Sequence, residues 1–304
     1  MPKTALVTGS DGFIGSHLVK KLEQEGYEVF GMDRFQAFES DVTNKDHWKQ
    51  KLLSIKPDYI FHLAGHLDKY YEGEGRADFS KYLDINTKSV ALMFEVIVEN
   101  KLPIKKVIVA SSQSVYGEGD YQYDKPLEEW EDDSLAPLSM YGASKAAMED
   151  VLFTLGRQYK VPCVALRYSI VLGPGQKYQD REHGALRAFV DMAKNGEDVI
   201  THEDGQQLRD FVHVDDVVDA HLVVVENPDA DYQVFNVGAG KSITVIELAE
   251  YIANKFGVKA RAGGKNRINT ARHSLMNIDK LKKLGWGPKR DWKMAVDNYI
   301  EEIN

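Results

Sequence analysis

Residues 4–22 read TALVTGSDGFIGSHLVKKL, a short apolar run followed by three glycines and a helical pattern. Gly9, Gly12 and Gly15 allow the backbone to turn where side chains would not fit. The helix that follows would offer free N–H groups and a positive potential at its N-terminus. This order is typical of a site for the pyrophosphate of a dinucleotide, although the spacing is G-x-x-G-x-x-G rather than the commoner G-x-G-x-x-G.

Asp33 supports a dinucleotide site because it closes the second apolar run, VFGMD, about twenty residues after the glycines. A carboxylate at that place can accept hydrogen bonds from the adenosine ribose and repels a 2′-phosphate. The adjacent Arg34 can offset part of this repulsion. We therefore predict NAD rather than NADP as the cofactor.

Short apolar runs alternate with amphipathic stretches along the first half of the chain. The runs are TALVTG, YEVFGMD, DYIFHLAG, KKVIVASS and VPCVALRY, and helices are predicted from about 16–24, 44–54, 80–100 and 141–159. Continuously apolar strands that alternate with helices predict an α/β fold with a doubly wound parallel (Rossmann) sheet.

The regular alternation ends near Arg167, and the glycine-rich stretch GPGQKYQDREHG is expected to be a long loop. We predict an NAD-binding Rossmann domain over residues 1–168, to which the chain returns at about 210–237. Residues 169–209 and 238–304 are predicted to form a smaller C-terminal lobe that binds the substrate.

Composition excludes several classes of protein. The formal charge of −9 argues against nucleic acid as a partner, and the single cysteine, Cys163, allows no intrachain disulfide and no cysteine-based metal site. No apolar run reaches membrane-spanning length and no signal-peptide pattern is present, so we expect no membrane partner and a cytoplasmic location. The nine histidines show no metal-ligand spacing, and no metal is expected.

The segment Tyr141-Gly-Ala-Ser-Lys145 places a phenol and an ammonium on one face of a helix. A nearby ammonium lowers the pKa of a phenol, which makes proton exchange with a sugar hydroxyl feasible. The stretch VIVASSQSVYG, residues 107–117, puts Ser111 and Ser112 at the C-terminal end of a strand, where ligands of doubly wound folds bind.

These motifs together resemble an extended short-chain dehydrogenase/reductase of the nucleotide-sugar epimerase/dehydratase type, closest to the UDP-glucose 4-epimerase type. The matching segments follow the family's order over essentially the whole chain: TGSDGFIG, DV at 41–42, HLAG at 62–65, Asn86, ASSQSVYG, YGASK, LRYSIVLGPGQ, RDFVHVDDV, NVGAG and LGW.

The resemblance implies further contacts with NAD, among them Lys145 with the nicotinamide ribose. It places Phe13 and Ile14 at the pyrophosphate, and Asp41 and Val42 near the adenine. The residues predicted to bind the cofactor are Gly9, Gly12, Phe13, Ile14, Gly15, Asp33, Arg34, Asp41, Val42, Leu63, Ala64, Gly65, Asn86, Ser111, Tyr141, Lys145 and Tyr168.

The resemblance also implies a nucleotide-diphosphate sugar as the partner. Arg209 and Arg267 would grip the diphosphate, since each guanidinium fork can bond two oxygens, and Arg272 is a further candidate. Ser112 and Gln113 are predicted to contact the sugar. Ile170 stands where the family usually has an asparagine that contacts the substrate.

The predicted catalytic residues are Tyr141, Lys145 and Ser112, and the predicted reaction is NAD-dependent 4-epimerisation of a nucleotide sugar. Related 4,6-dehydratases carry acidic residues after the catalytic hydroxyl, whereas this chain has Gln113 and Ser114. In the predicted reaction the hydride of sugar C4 passes to NAD, giving a 4-keto sugar, and returns to the opposite face.

Other possibilities remain open at this stage. A 4-ketosugar reductase or dehydrogenase would use the same residues but would consume cofactor stoichiometrically, and a non-catalytic nucleotide sensor would show no turnover. The segments TARHS and EDGQQLRDFVHVDDV resemble epimerases of different nucleotide sugars, so the nucleotide and the sugar are undecided. A homodimer through the two long helices is a further expectation from the family.

Overall fold

A computed structural model describes residues 2–34, 40–67, 78–118, 121–122, 125–126, 128–176, 184–264 and 271–303. The strands in these ranges are β1 (Thr4–Thr8), β2 (Glu28–Met32), β3 (Tyr59–His62), β4 (Lys106–Ser112), β5 (Tyr121–Gln122), β6 (Lys125–Pro126), β7 (Cys163–Tyr168), β8 (Ile170–Leu172), β9 (Val199–His202), β10 (Leu208–His213), β11 (Gln233–Val237), β12 (Ser242–Thr244) and β13 (Ala260–Gly264). The α-helices are α1 (Phe13–Gln24), α2 (Lys45–Ile55), α3 (Phe79–Tyr82), α4 (Ser89–Glu99), α5 (Met140–Tyr159), α6 (Ala185–Lys194), α7 (Val214–Val225), α8 (Val245–Phe256), α9 (Asp279–Lys282) and α10 (Trp292–Ile303).

The main sheet has six parallel strands in the order β11-β7-β4-β3-β1-β2. The order reverses direction between β1 and β3, which creates the crevice where doubly wound folds bind ligands. The predicted Rossmann-like fold is therefore confirmed.

Both faces of this sheet are buried, which explains why its strands are continuously apolar. Alternate residues of β1 point to opposite sides, so Val7 packs in one apolar cluster and Leu6 in the other. The first cluster includes residues of α1 and α7, and the second includes residues of α2, α4 and α5.

A third apolar cluster lies apart from these two. It is built from α6, α8, α10 and the short strands β8, β9 and β10, with Phe189, Leu248 and Tyr299 among its buried residues. β10 pairs with β8 and β12 rather than with the main sheet, while β11 returns to the main sheet beside β7.

Two helices differ from their predicted bounds. α1 begins at Phe13, earlier than the predicted start near residue 16, because the first helical turn follows Gly12 directly. The single helix predicted near 80–100 is divided into α3, a π-helical turn at Leu83–Lys88, and α4. No helix within the described ranges has the length and hydropathy that crossing a bilayer requires.

Candidate active site

The glycines after β1 form a turn that side chains would block. Gly9 has a φ of +67°, and a Cβ atom there would lie 2.9 Å from the backbone nitrogen of Ala64. A Cβ atom at Gly15 would lie only 2.0 Å from the carbonyl oxygen of Gly9. The first turn of α1 is therefore packed directly on the loop, and glycine is required at both positions.

The N-terminus of α1 fits an anionic group. Its N-cap residue is Gly12, which provides no side-chain cap, and the first turn carries no acidic residue. The first N–H groups of a helix lack intrahelical partners and carry a positive partial charge. Together with the glycine turn, this geometry fits the pyrophosphate of NAD.

Asp33 lies immediately after β2 and beside the glycine turn. Its side chain is buried, and its Oδ2 accepts a hydrogen bond of 3.1 Å from the backbone N–H of Asp11. The neighbouring Arg34 is exposed. The carboxylate is thus held at the edge of the turn, a position that fits the adenosine ribose of a dinucleotide.

The segments after β2 and β3 complete this edge of the sheet. Asp41 accepts hydrogen bonds of 2.8 Å from the backbone and the hydroxyl of Thr43, and Val42 is buried in the core. The backbone nitrogens of Leu63 and Ala64 bond to Thr8, at the end of β1. Leu63 and Ala64 therefore lie beside the glycine turn.

Gly65, Asn86 and Lys145 lie close together. A Cβ atom at Gly65 would lie 3.3 Å from Lys145 Nζ and 3.4 Å from Asn86 Oδ1. Asn86 lies in the π-helical turn, and its amide bonds to the backbone of His66 and to the hydroxyl of Ser144. π-helical turns are often found at functional sites.

Tyr141 and Lys145 lie in the first turns of α5, which Ser139 caps by accepting a hydrogen bond from the N–H of Gly142. Lys145 Nζ donates a hydrogen bond of 2.7 Å to the carbonyl oxygen of Ala110, at the end of β4. The hydroxyl of Ser112 lies near enough to the Tyr141 phenol to affect its pKa, and it accepts a hydrogen bond of 3.1 Å from the backbone N–H of Ser114. The structure therefore brings the three predicted catalytic residues together.

Burial has the largest effect on the pKa values of Tyr141 and Lys145. It raises the pKa of Tyr141, while the hydrogen bond with Ser112 lowers it. Burial lowers the pKa of Lys145 to about 8, against the opposing effect of Glu149. The expectation of a lowered pKa for the Tyr141 phenol is therefore not met, because desolvation outweighs the other effects in the structure.

Gln113 lies in a 3₁₀ turn that follows Ser112 directly. Within the part of the chain that the structure describes, its Oε1 atom is buried and has no hydrogen-bond partner. A buried acceptor without a partner is unfavourable unless a ligand donates to it. This observation fits the predicted contact with the sugar.

Two predicted cofactor residues have their hydroxyl groups bonded inside the protein. Ser111 Oγ donates to the carboxylate of Glu149. Tyr168 donates a hydrogen bond of 2.8 Å to Nε2 of His221, whose Nδ1 donates to the carbonyl oxygen of Val217. Glu149 and His221, the partners of these hydroxyls, could not be recognised from the sequence because each lies far along the chain from the residue it bonds.

Arg209, on β10, is buried and is held by backbone carbonyl groups. Its Nη1 donates to Leu208 and Arg272, and its Nη2 donates to Ala271. The side chain of Arg272 pairs instead with acidic residues, with Nη2 2.6 Å from an oxygen of Asp204. Arg267 lies outside the described residues.

Arg209 also lines a cavity of about 250 Å³ next to the third apolar cluster. Ile170 and Arg272 lie in its wall. The sequence interpretation missed the apolar residues of this wall, which include Ala185, Ala188, Phe189, Met192, Ile200 and Val245. The four of these residues in α6 were signalled only by its amphipathic pattern, which does not distinguish a cavity from a core.

Comparison with known proteins agrees with this geometry. A putative UDP-glucose 4-epimerase of Methanocaldococcus jannaschii is 30% identical over 97% of this chain and 96% of its own length. A dTDP-L-rhamnose 4-epimerase of Burkholderia thailandensis is 26% identical over 94% of this chain and 91% of its own. The crystal structure of a UDP-glucose 4-epimerase from Thermotoga maritima with UDP-glucose superposes with a TM-score of 0.86 at 29% identity, covering 99% and 98% of the two chains. The model of the NAD dependent epimerase/dehydratase family matches residues 5–238, and this chain belongs to that family.

Proposed function

We propose that this protein is an NAD-dependent nucleotide-sugar 4-epimerase. The observation that carries the proposal is the group formed by Tyr141, Ser112 and Lys145 at the carboxyl end of β4, followed by the non-acidic Gln113 and Ser114. An elimination needs a further acid or base at the sugar, and neither an amide nor a hydroxyl of ordinary pKa serves as one near neutral pH. Epimerisation at C4 removes and returns a proton and a hydride, and from the protein it needs only Tyr141, Ser112 and Lys145.

Each of these three residues has a distinct role in the proposed reaction. Tyr141 takes the proton of the sugar 4-hydroxyl, with the hydroxyl of Ser112 beside the same phenol. The ammonium of Lys145 favours the phenolate form. NAD, when bound, supplies reversible hydride acceptance at C4. Tyr141 gives its proton back when the 4-keto sugar has turned and is reduced on its opposite face.

The sugar must turn while the rest of the substrate stays bound. We propose that Arg209 and Arg267 hold the diphosphate and that the cavity beside Arg209 holds the nucleoside. In this proposal residues 169–209 and 238–304 form the substrate lobe, and residues 1–168 with the return at 210–237 form the NAD-binding domain. The separate apolar cluster of α6, α8 and α10 supports the existence of a substrate lobe.

The predicted cofactor residues retain their roles in the proposal. The glycine turn and α1 hold the pyrophosphate, and Asp33 bonds the adenosine ribose, which favours NAD over NADP. In the proposal Asn86 and Gly65 line the nicotinamide end of the site, which their proximity to Lys145 supports. In the proposal Gln113 contacts a sugar hydroxyl through its buried Oε1 atom.

We also propose a cytoplasmic homodimer. α4 and α5 pack side by side, so they can form one continuous surface for a second copy of the chain. Phe79 and Leu83, near this surface, have exposed apolar side chains that a partner could cover. Light scattering after size-exclusion chromatography would give the mass, and a monomer at micromolar concentration would contradict this part of the proposal.

Proton NMR in D₂O tests the main proposal. The protein is incubated with catalytic NAD and a panel of UDP-, dTDP-, GDP- and CDP-sugars. We expect a new C4 epimer from one of these sugars, without deuterium at carbon and without net consumption of NAD.

The other outcomes discriminate between the alternatives. Deuterium at C3 or C5 would contradict 4-epimerisation, because proton exchange next to a ketone would then be the chemistry. Product formation in proportion to added cofactor would instead support a 4-ketosugar reductase or dehydrogenase.

A further inference from the structure

Glu149 is a buried charged residue that the proposed chemistry does not use. It lies one helical turn beyond Lys145 on α5 and is 3% exposed. Its Oε1 accepts hydrogen bonds from Ser111 Oγ and, at 3.0 Å, from Arg167 Nε. Its Oε2 accepts a bond of 2.7 Å from Arg167 Nη2, so both oxygens of the carboxylate are engaged.

Arg167 extends this arrangement across the sheet. Its remaining nitrogen, Nη1, donates to the hydroxyl of Tyr116 at 2.8 Å and to the carbonyl oxygen of Glu131 at 3.1 Å. All three guanidinium nitrogens are thus bonded in the core. A buried ion pair is often no more stabilising than apolar residues of similar volume, so its position beside the candidate active site indicates a role in geometry.

The ion pair of Glu149 and Arg167 joins α5 to β4, the strand that carries Ser112. β4 and β7 are in register so that Ser111 lies opposite Arg167, and Glu149 bonds to both of these residues from α5. Tyr141 and Glu149 lie two turns apart on the same face of α5. A shift of the helix that moved Tyr141 away from Ser112 would therefore also break the bonds of Glu149.

The charge of Glu149 also acts on Lys145. Among the described residues, the other groups near Lys145 Nζ include the carbonyl oxygen of Ala110, the ring of Tyr141, the imidazole of His62 on β3 and, across Gly65, the amide of Asn86. Burial lowers the pKa of His62 to about 3, so it is neutral near pH 7. Burial also lowers the pKa of Lys145, and the carboxylate of Glu149 opposes that change.

We propose that Glu149, held by Arg167, is a positioning residue that fixes α5 against Ser112 and sets its carboxylate one helical turn from Lys145. This proposal rests on the proposed role of Tyr141 as the group that exchanges a proton with the sugar.

The test compares Glu149→Gln with Asp150→Asn in the intact chain. Asp150 is the next residue of α5 and is exposed, so its variant removes the same charge without touching the buried pair. ¹³C NMR of ε-labelled lysine, with Lys145 assigned by its absence in Lys145→Met, gives the titration midpoint without any substrate. We expect Glu149→Gln to lower the Lys145 midpoint by about one pH unit or more, and Asp150→Asn to leave it unchanged.

The kinetic readout separates geometry from binding. In Glu149→Gln we expect kcat to fall by about 30-fold or more at pH 7 while KM changes by less than about threefold, because the loss affects proton transfer rather than substrate binding. Glu149→Asp, which retains the charge on a shorter side chain, should restore the Lys145 midpoint but only part of kcat.

An unchanged Lys145 midpoint in Glu149→Gln, or a kcat close to that of the unaltered protein, would overturn the proposal. If Glu149→Gln does not fold, Arg167→Lys keeps both charges and removes only the guanidinium fork; an unchanged kcat in that variant would overturn the proposal as well. The lysine titration needs no sugar, so a shifted midpoint in a protein without epimerase activity would count against the proposed function and not against the link between Glu149 and Lys145.

Discussion

Lys145 Nζ lies 5.9 Å from the centre of the Tyr141 ring, one turn further along α5. The same nitrogen is fixed by its hydrogen bond to the carbonyl oxygen of Ala110. A fixed ammonium at this distance favours a phenolate, whereas burial favours the neutral phenol. The chemistry of the site depends on the balance between these two effects.

Replacing Tyr141 by phenylalanine should abolish proton exchange with the sugar. General acid–base catalysis contributes roughly 10²- to 10⁴-fold, so we expect kcat to fall by about 10³-fold while the affinity for NAD stays the same. Turnover by NMR and NAD affinity by calorimetry would check this result. Tyr159→Phe, at the exposed end of the same helix, is the matched control and should behave like the unaltered protein. Near-normal turnover in Tyr141→Phe would exclude the proposed role.

The stability of the protein should depend on Lys145 in a pH-dependent way. The pKa of Lys145 is about 8 in the folded protein, and an unfolded lysine titrates near 10.4. Below pH 8 both states are charged and the folded state bears the full penalty of the buried charge. Between the folded and the unfolded pKa of Lys145, the unfolded state binds more protons than the folded state. The free energy of unfolding therefore rises with pH in this range, as the cost of burying the charge is lost.

Urea unfolding of the unaltered protein and of Lys145→Met would measure this penalty. The variant lacks the buried charge, so its free energy of unfolding relative to the unaltered protein should decrease by roughly 2–3 kcal/mol between pH 7 and pH 10. Lys49→Met, at an exposed position, should show no such trend. A relative stability that is independent of pH would contradict a lowered pKa for Lys145.

Sequence reasoning could predict the parallel sheet because each of its strands carries a local signal. TALVTG and KKVIVASS are apolar along their whole length, and glycines or serines mark their ends. Tyr141, Lys145 and Ser112 were also recognisable, since two of them share a helix face and the third ends a strand.

The features that escaped prediction depend on tertiary structure. The sequence analysis gave Glu149 no role, because its partner Arg167 comes from a distant strand and meets it in the core. The cavity beside Arg209 draws its wall from separate elements that have no common motif. The raised pKa of Tyr141 follows from burial, which spacing along a helix does not report.

Arg209→Lys should weaken substrate binding more than catalysis. Lysine retains the charge but cannot reproduce a fork that bonds three carbonyl groups and faces the cavity. We expect KM for the nucleotide sugar to rise by about 10- to 100-fold with kcat within about threefold, because the diphosphate is held equally in the ground and transition states.

The control for Arg209→Lys is Arg261→Lys, at an exposed position on β13. Thermal unfolding of both variants separates binding from structure. A lower Tm for Arg209→Lys with an unchanged KM would mean that Arg209 only supports the backbone near Ala271.

Gly15→Ala should disable the cofactor site through a single methyl group. Its Cβ atom would lie 2.0 Å from the carbonyl oxygen of Gly9, so either the turn or α1 must move. We expect NAD affinity to fall by about 100-fold or more and the free energy of unfolding to decrease by roughly 1–3 kcal/mol, as for other overpacked sites. Gly287→Ala is the matched control, since no atom of the described residues lies within 4 Å of the added Cβ and the backbone needs no positive φ. Calorimetric NAD binding and urea unfolding would measure both effects, and normal NAD affinity in Gly15→Ala would show that the cofactor does not depend on this turn.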